Sequence, residues 1–300
     1  MIGAVSLWIP VDALDGCVWE LLRRSVCRTP QRGGGRLAIS DSKRLFGRQR
    51  GLAALERPVL AVLAAWGRPV STWRELLSVL APAGLAPAEQ VPWYRGDFAL
   101  PLDPHTGDMG TRATPLTRDL DAHHIAIQAI ECEVLDAGEF NRRVQRSRNK
   151  ASVEMDAVFR LMASAFDRAG GRPVRLVSDR LGGRTRYRDA LLRSFPEFAL
   201  QIDEEGEARS RYTLRDGDRV RRIEFHADGE QVSLPTALAS MCCKYVRECF
   251  MHAFNRYWTA QVPGLTPTAG YYTDAQRFLR ETESARRRLA VPNDELIRQR

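Results

Sequence analysis

The stretch Val174-Arg175-Leu176-Val177-Ser178-Asp179-Arg180-Leu181-Gly182-Gly183 decides how this 300-residue sequence is read. After Pro173 comes a short run with Val174, Leu176 and Val177 apolar, the length and character of a short strand. Asp179 and the glycine pair break it, so the strand ends in a loop that a ligand can approach closely. A carboxylate at the C-terminal edge of a strand in an α/β sheet is a usual place for a metal ligand or catalytic acid. Taken alone, Asp179 reads more readily as a turn-forming residue, so its neighbours in the chain must decide.

Downstream, Arg188 to Phe195 reads as a short helix closed by Pro196. Arg211–Leu214 and Arg219–Ala227 flank Asp216-Gly217, a strong hairpin signal. Glu230 follows, just ahead of a long helix that Pro235 opens and that reaches Trp258. Upstream, Val153, Ala157, Val158, Leu161, Met162, Ala165 and Phe166 lie on one helical face, ended by Gly170-Gly171. A basic stretch (Arg142, Arg143, Arg146, Arg148, Lys150) precedes that helix, and His124 to Val134 reads as a strand. Strands and helices interleave from 124 to 258, which predicts an α/β class with a mixed sheet.

The N-terminal half is less regular. Residues 4–9 read as a buried strand stopped by Pro10, and Asp15 to Arg24 carries helical spacing. Arg32-Gly33-Gly34-Gly35-Arg36 reads as a loop, since no Lys-Ser or Lys-Thr follows at phosphate-loop spacing. Residues 47–122 look like an insertion, with helices over Leu52–Trp66 and Trp73–Leu80. A proline-rich polar stretch follows, through Pro87, Pro92, Pro101, Pro104 and Pro115. Trp93-Tyr94-Arg95 reads as an aromatic anchor for that loop rather than a base-stacking platform.

Bulk numbers set limits. A hydrophobic share of 44% suits a soluble globular protein, and a net charge of +8 with pI near 9.5 suits a phosphate-bearing partner as well as a generally basic surface. No apolar run approaches membrane length, and six cysteines without a C-x-x-C pair favour a reducing compartment, so a cytoplasmic monomer is expected. Of the 45 basic residues only Lys43, Lys150 and Lys244 are lysines. Against so arginine-rich a background, each surviving lysine marks a place where a compact ammonium is wanted.

The order of the motifs says more than any one of them. Ser40-Asp41-Ser42-Lys43-Arg44-Leu45 comes first, then a strand and helix bearing Asn141 and Asn149. Ser178-Asp179-Arg180 with Gly182-Gly183 follows, then Gly229-Glu230 ten residues ahead of Ser240. Ala239-Ser240 through Lys244 and Arg247 comes next, and Ala269-Gly270-Tyr271-Tyr272-Thr273 last. This succession resembles the type 2 ribonuclease H family (ribonucleases HII and HIII), over roughly residues 1–46 and 123–280, with 281–300 a tail.

The resemblance implies a ribonuclease H-like sheet with flanking helices. It also implies hydrolysis of the RNA strand of an RNA/DNA hybrid, or of ribonucleotide-containing DNA, beside two Mg2+ or Mn2+ ions. Asp179 matches the third of the family's carboxylates. Glu230 falls where the fourth, normally Asp, stands. Lys43 and Lys244 match phosphate-contacting lysines, and Tyr271 the tyrosine that packs against a sugar of the DNA strand. Gln276 stands where many relatives have His and receives no role.

The family's first two acidic ligands, an adjacent Asp-Glu, lie on a strand ahead of a Gly-Pro turn. Here Met1-Ile2-Gly3 matches the end of that turn, and Ala4 to Ile9 the strand after it. No Asp-Glu pair occurs in residues 1–40. The expectation is a start upstream of Met1 that supplies the strand; the rival is a chain that begins here and is inactive. Two other functions compete with the nuclease: a non-catalytic nucleic-acid-binding module on the same scaffold, and a protein-interaction role centred on 47–122. The basic run Arg286-Arg287-Arg288 reads as a solvated helix.

Overall fold

The computed structural model describes residues 1–31, 35–46 and 51–298. In chain order the elements are β1 (Ile2–Trp8), α1 (Val18–Leu21), β2 (Val26–Cys27), β3 (Leu37–Ala38), α2 (Ser42–Leu45) and α3 (Ala53–Ala65). Then come α4 (Trp73–Leu80), α5 (Pro82–Gln90), α6 (Met109–Ala122), β4 (Ala126–Glu133), α7 (Ala137–Ser147) and α8 (Lys150–Ala169). The second half holds β5 (Val174–Asp179), α9 (Arg188–Ser194), β6 (Ala199–Glu205), β7 (Arg209–Asp216) and β8 (Arg219–His226). It closes with α10 (Gly229–Val232), α11 (Leu234–Gln261), α12 (Tyr272–Glu281), α13 (Glu283–Arg288) and α14 (Asn293–Leu296). The class is mixed α/β, as expected. No helix among the described residues is long and apolar enough to cross a membrane. Residues 32–34 of the expected glycine loop and 47–50 at the start of the expected insertion lie outside the described residues.

Local signals explain the main helices. The Ser233 hydroxyl caps α11 by accepting the Thr236 N–H, and a proline stands in its first turn, where no N–H is needed. Asn149 caps α8, which ends at Gly170 with φ +57°, a left-handed conformation that favours glycine. Thr72 and Glu75 form a reciprocal capping box on α4.

The proline-rich stretch departs from expectation, because α5 and α6 contain Pro87 and Pro115 within them. In α6 the Asp108 carboxylate accepts from Gly110 and Thr111 N–H, and Ala113, Leu116 and Leu120 are buried on one face. A cap and a buried stripe outweigh the one hydrogen bond that the proline removes. Asp15–Arg24 is also shorter than its spacing suggests, since only Val18–Leu21 is helical.

Two sheets carry the architecture. β1 pairs antiparallel with β4, and a four-stranded sheet runs β5-β8-β7-β6, with β5 parallel to β8. On β4, Glu131 reaches Arg168 of α8 while the next residue, Cys132, faces Cys243 of α11 at 3.8 Å. Adjacent strand residues point to opposite faces, so α8 and α11 cover opposite sides of the sheet.

On the α11 side the largest apolar cluster joins α11 to α3 and α4 with Trp19, Val5 and Leu7. The second cluster sits between α8, α9 and the four-stranded sheet. The third holds Trp93, Trp258 and Phe278, which makes Trp93 the anchor the sequence suggested and removes it from any base-stacking role.

The two sheets do not meet. Among the described residues β1 pairs only with β4 and β5 only with β8, and their free edges line one cavity of about 590 Å³. This corrects the expectation that the first strand is buried. All seven residues of β1 are only half-buried, and β5 is half-buried up to an exposed Asp179.

Candidate active site

Asp179 stands at the C-terminal end of β5, opposite His226 in the parallel register with β8. The chain leaving β8 turns back at once, so the Gly229 N–H donates to Asp179 Oδ1 at 2.7 Å. A Cβ on Gly229 would lie 3.0 Å from the Asp179 N and Oδ1 and the Ser178 carbonyl, which explains the glycine. Glu230 comes next and shares the rim of the same cavity. The two acids that the sequence paired are therefore brought together by one backbone contact.

A third carboxylate, which sequence reasoning passed over, belongs to the group. Asp41 lies beside Glu230 and also acts on Asp179. It caps α2 by accepting the Lys43 N–H at 2.8 Å, and the Ser42 hydroxyl stands 3.0 Å from the Ser240 hydroxyl of α11. This serine pair docks the Asp41–Lys43 segment against the rim. The signal was present in the sequence: an Asp directly before Ser-Lys at a helix start is a cap that places its carboxylate beside the lysine.

The electrostatics are those of crowded, partly desolvated acids. Burial pushes the Asp179 carboxyl above the usual range; the Gly229 N–H and the Lys43 charge pull it back, while Asp228 and Asp41 add to the rise. Burial also raises Glu230. The Ser240 hydroxyl opposes the shift, and Asp41 and Asp179 reinforce it. The Glu230 Oε2 is buried without a hydrogen-bond partner. Such an oxygen costs free energy until something positive or a proton reaches it.

From Ser240 the helix α11 carries Lys244 and Arg247 along the same side, at i+4 and i+7. Lys244 is 18% exposed, and its ammonium pairs with Glu248 at 3.0 Å and lies 4.7 Å from the centre of the Phe46 ring. The carboxylate that holds this ammonium carried no sequence signal. Arg247 also reaches Glu248, at 2.8 Å, and donates to the Ala269 carbonyl at 2.8 Å. Its guanidinium lies 5.3 Å from the centre of the Tyr271 ring. Tyr271 is 61% exposed, so it presents a face to solvent rather than anchoring the C-terminal segment.

Other basic residues are elsewhere. Arg142 and Arg143 pair with Glu139, Glu133 and Glu295, and Arg286 bonds to Asn293 and the Leu279 carbonyl. Asn141 is buried, and its amide donates to the Asp294 and Ile297 carbonyls, so it fastens the C-terminal segment to α7.

A divalent cation suits the donors at the rim. Crowded carboxylates with a buried, unpartnered oxygen are the hard ligands Mg2+ and Mn2+ take, and Asp179 and Glu230 would hold such an ion. Among the described residues, however, no group of three or more His, Cys, Asp or Glu is placed to hold a metal. These two acids alone would supply only part of such a site. Comparison with protein families, with curated proteins and with solved structures finds no match for this chain.

Proposed function

We propose that this chain is the scaffold of a metal-dependent endoribonuclease with a ribonuclease H-like fold, acting on the RNA strand of RNA/DNA hybrids or on ribonucleotide-containing DNA. The observation that carries this reading is the meeting of Asp179 and Glu230 at one end of the cavity, with Lys43 close enough to act on Asp179. The resemblance paired these acids across a long stretch of sequence, and a basic stripe leads away from them along α11.

When bound, divalent ions would activate the attacking water and steady the leaving oxygen. The chain's own groups do the rest. Asp179 and Glu230 supply anionic oxygens and Lys43 meets a backbone phosphate. Lys244 and Arg247 neutralise phosphates along α11, and Tyr271 offers a flat face to a sugar. Lys244 and Arg247 both start from Glu248, so binding exchanges an internal ion pair for a phosphate contact.

The test is cleavage of a labelled RNA/DNA hybrid in Mg2+ or Mn2+ by this chain and by a form carrying upstream sequence. RNA-strand cleavage that disappears in Asp179→Asn supports the reading. Cleavage that survives the substitution contradicts it. A second reading, hybrid binding without hydrolysis, rests on the basic side of α11 and the exposed Tyr271. It predicts salt-sensitive binding and an intact RNA strand in either metal.

A further inference from the structure

Six free thiols are spread over the chain, and two of them meet. Cys132 of β4 and Cys243 of α11, 111 positions apart, stand with their sulfurs 3.8 Å from each other. The strand register explains how a helix comes so near. Cys132 pairs across the sheet with Gly3 of β1, and paired residues direct their side chains to the same face. Gly3 has no side chain to direct. A Cβ there would lie 2.6 Å from Cys243 Sγ and 3.2 Å from the Ala239 carbonyl, so the glycine opens a notch beside Cys132 that the Cys243 sulfur fills. Gly3 has no positive φ, so it serves close approach rather than a turn.

The adjacent cysteines of α11 are not equivalent. Cys242 is 1% exposed, within the apolar cluster that joins α11 to α3 and α4. Cys243, one residue on and about 100° round the helix, is half-buried and lines the cavity, where a small solute can reach it. Cys132 is only 6% exposed. The hydrogen bond between the two thiols pulls Cys243 below the usual thiol range against the effect of burial. The same bond raises Cys132, and burial adds to that rise. One sulfur is placed to attack and the other to resolve.

We propose that Cys243 and Cys132 form a hydroperoxide-responsive site, Cys243 the nucleophile and Cys132 the resolving thiol, which closes to a disulfide between α11 and β4. The Cys243 sulfur attacks one peroxide oxygen and the O–O bond breaks. The departing oxygen takes the Cys243 proton and leaves as water or an alcohol, and Cys243 becomes a sulfenic acid. The Cys132 sulfur then attacks the Cys243 sulfur, the S–O bond breaks, and the hydroxyl leaves as water with the Cys132 proton. The two thiols lose two electrons, and the peroxide gains them. A transient, redox-sensing bond is the kind of disulfide that a reducing compartment allows. The proposal is independent of the nuclease reading of Asp179 and Glu230. A bond at Cys243 would still be felt there, because Ser240, about one turn earlier on α11, bonds to Glu230 and stands 3.0 Å from the Ser42 hydroxyl.

The experiment treats the full chain with a small molar excess of hydrogen peroxide at neutral pH. The remaining thiols are then blocked with iodoacetamide under denaturing conditions, and the peptides are mapped by mass spectrometry. The expected product is a Cys132–Cys243 link within one chain, released by dithiothreitol, with Cys242 and Cys249 left as thiols. Cys132→Ser should instead hold Cys243 as a sulfenic acid that dimedone traps, and Cys243→Ser should leave Cys132 reduced. The proposal is overturned if both thiols survive a dose that oxidises the exposed Cys17, or if Cys243 passes to a sulfinic acid without bonding Cys132. A bond from Cys243 to Cys242, or to a second chain, would overturn it equally.

Discussion

Glu56 and Glu230 are two glutamates on opposite sides of α11, and their surroundings differ in every respect. Glu56, fully buried in α3, accepts from the Leu102 and Asp103 N–H groups, the Thr106 hydroxyl and the Tyr245 hydroxyl, at 2.6–3.0 Å. Four donors satisfy it, and they stitch α3 and the loop after it to the middle of α11. Glu230 stands at the rim of an open cavity with one oxygen unpartnered and two other carboxylates beside it. The first arrangement is what a carboxylate needs to hold a fold together. The second is costly until a proton or a cation reaches it. That difference separates the structural half of the molecule from the half where chemistry is expected.

The sharpest way to break the contrast is to neutralise the rim. In a form that cleaves hybrid, Asp179→Asn should cost about 10³-fold in rate, measured in single turnover. It should leave the midpoint of unfolding unchanged or higher. The sign follows from the raised carboxyl: the unfolded chain ionises first, so this group's contribution falls as pH rises from its unfolded value to its folded value, and stays low at neutral pH. Asparagine removes that penalty and keeps an oxygen for the Gly229 N–H. On the other side of α11, Glu56→Leu should destabilise by about 3 kcal/mol in urea unfolding, because buried donors lose their acceptor. Glu230→Gln should cost nothing.

Smaller effects sharpen the basic stripe. Lys43→Ala and Arg247→Ala should each reduce the slope of log Kobs against log salt for hybrid binding by about 1. Tyr271→Ala should weaken binding by roughly five-fold and leave that slope alone, as expected of a stacking contact worth about 1 kcal/mol. The smallest effect lies in the β5–β8 pair. There burial works to raise Glu224, but hydrogen bonds from His226 and Arg175 hold its carboxyl at about 2. Its stabilisation is present above the unfolded carboxylate value and is lost as pH falls from about 4 toward 2. Glu224→Gln should flatten that acid limb in a pH series of unfolding midpoints.

Much of the fold was legible because the relevant segments carry strong local signals. β5, α8 and α11 each combine an apolar pattern with a terminating or capping residue, and the Asp216-Gly217 turn marked the hairpin of β7 and β8. β6 was missed because it is an edge strand with its outer face in solvent, and even Ile202 is exposed. Within the basic stretch α7 was marked only as the helix bearing Asn141, because the partners of its arginines, Glu133 and Glu295, are distant in sequence. α6 hid behind a proline whose cost is offset by a cap and burial that only the folded chain supplies, and α5 hid behind Pro82 and Pro87.

At the site, Asp179, Glu230 and the Lys43 segment were legible as an ordered set of motifs. Asp41 went unread because nothing local brings it beside acids distant in sequence, and Glu248 because nothing local tells a carboxylate that holds a lysine from one in solvent. No local pattern in the sequence marks the free edges of β1 and β5. Unpaired edges appear only when all strand partners are known.

Manganese binding at the rim puts the cation-site assignment to the most direct test, since it needs neither substrate nor turnover. Titration of Mn2+ followed by its electron paramagnetic resonance signal should show a bound ion in the parent chain. Binding should weaken sharply in Asp179→Asn and in Glu230→Gln and be unaffected in Glu56→Gln. Absence of bound Mn2+, or equal binding in all four proteins, would contradict a divalent-ion site built on Asp179 and Glu230.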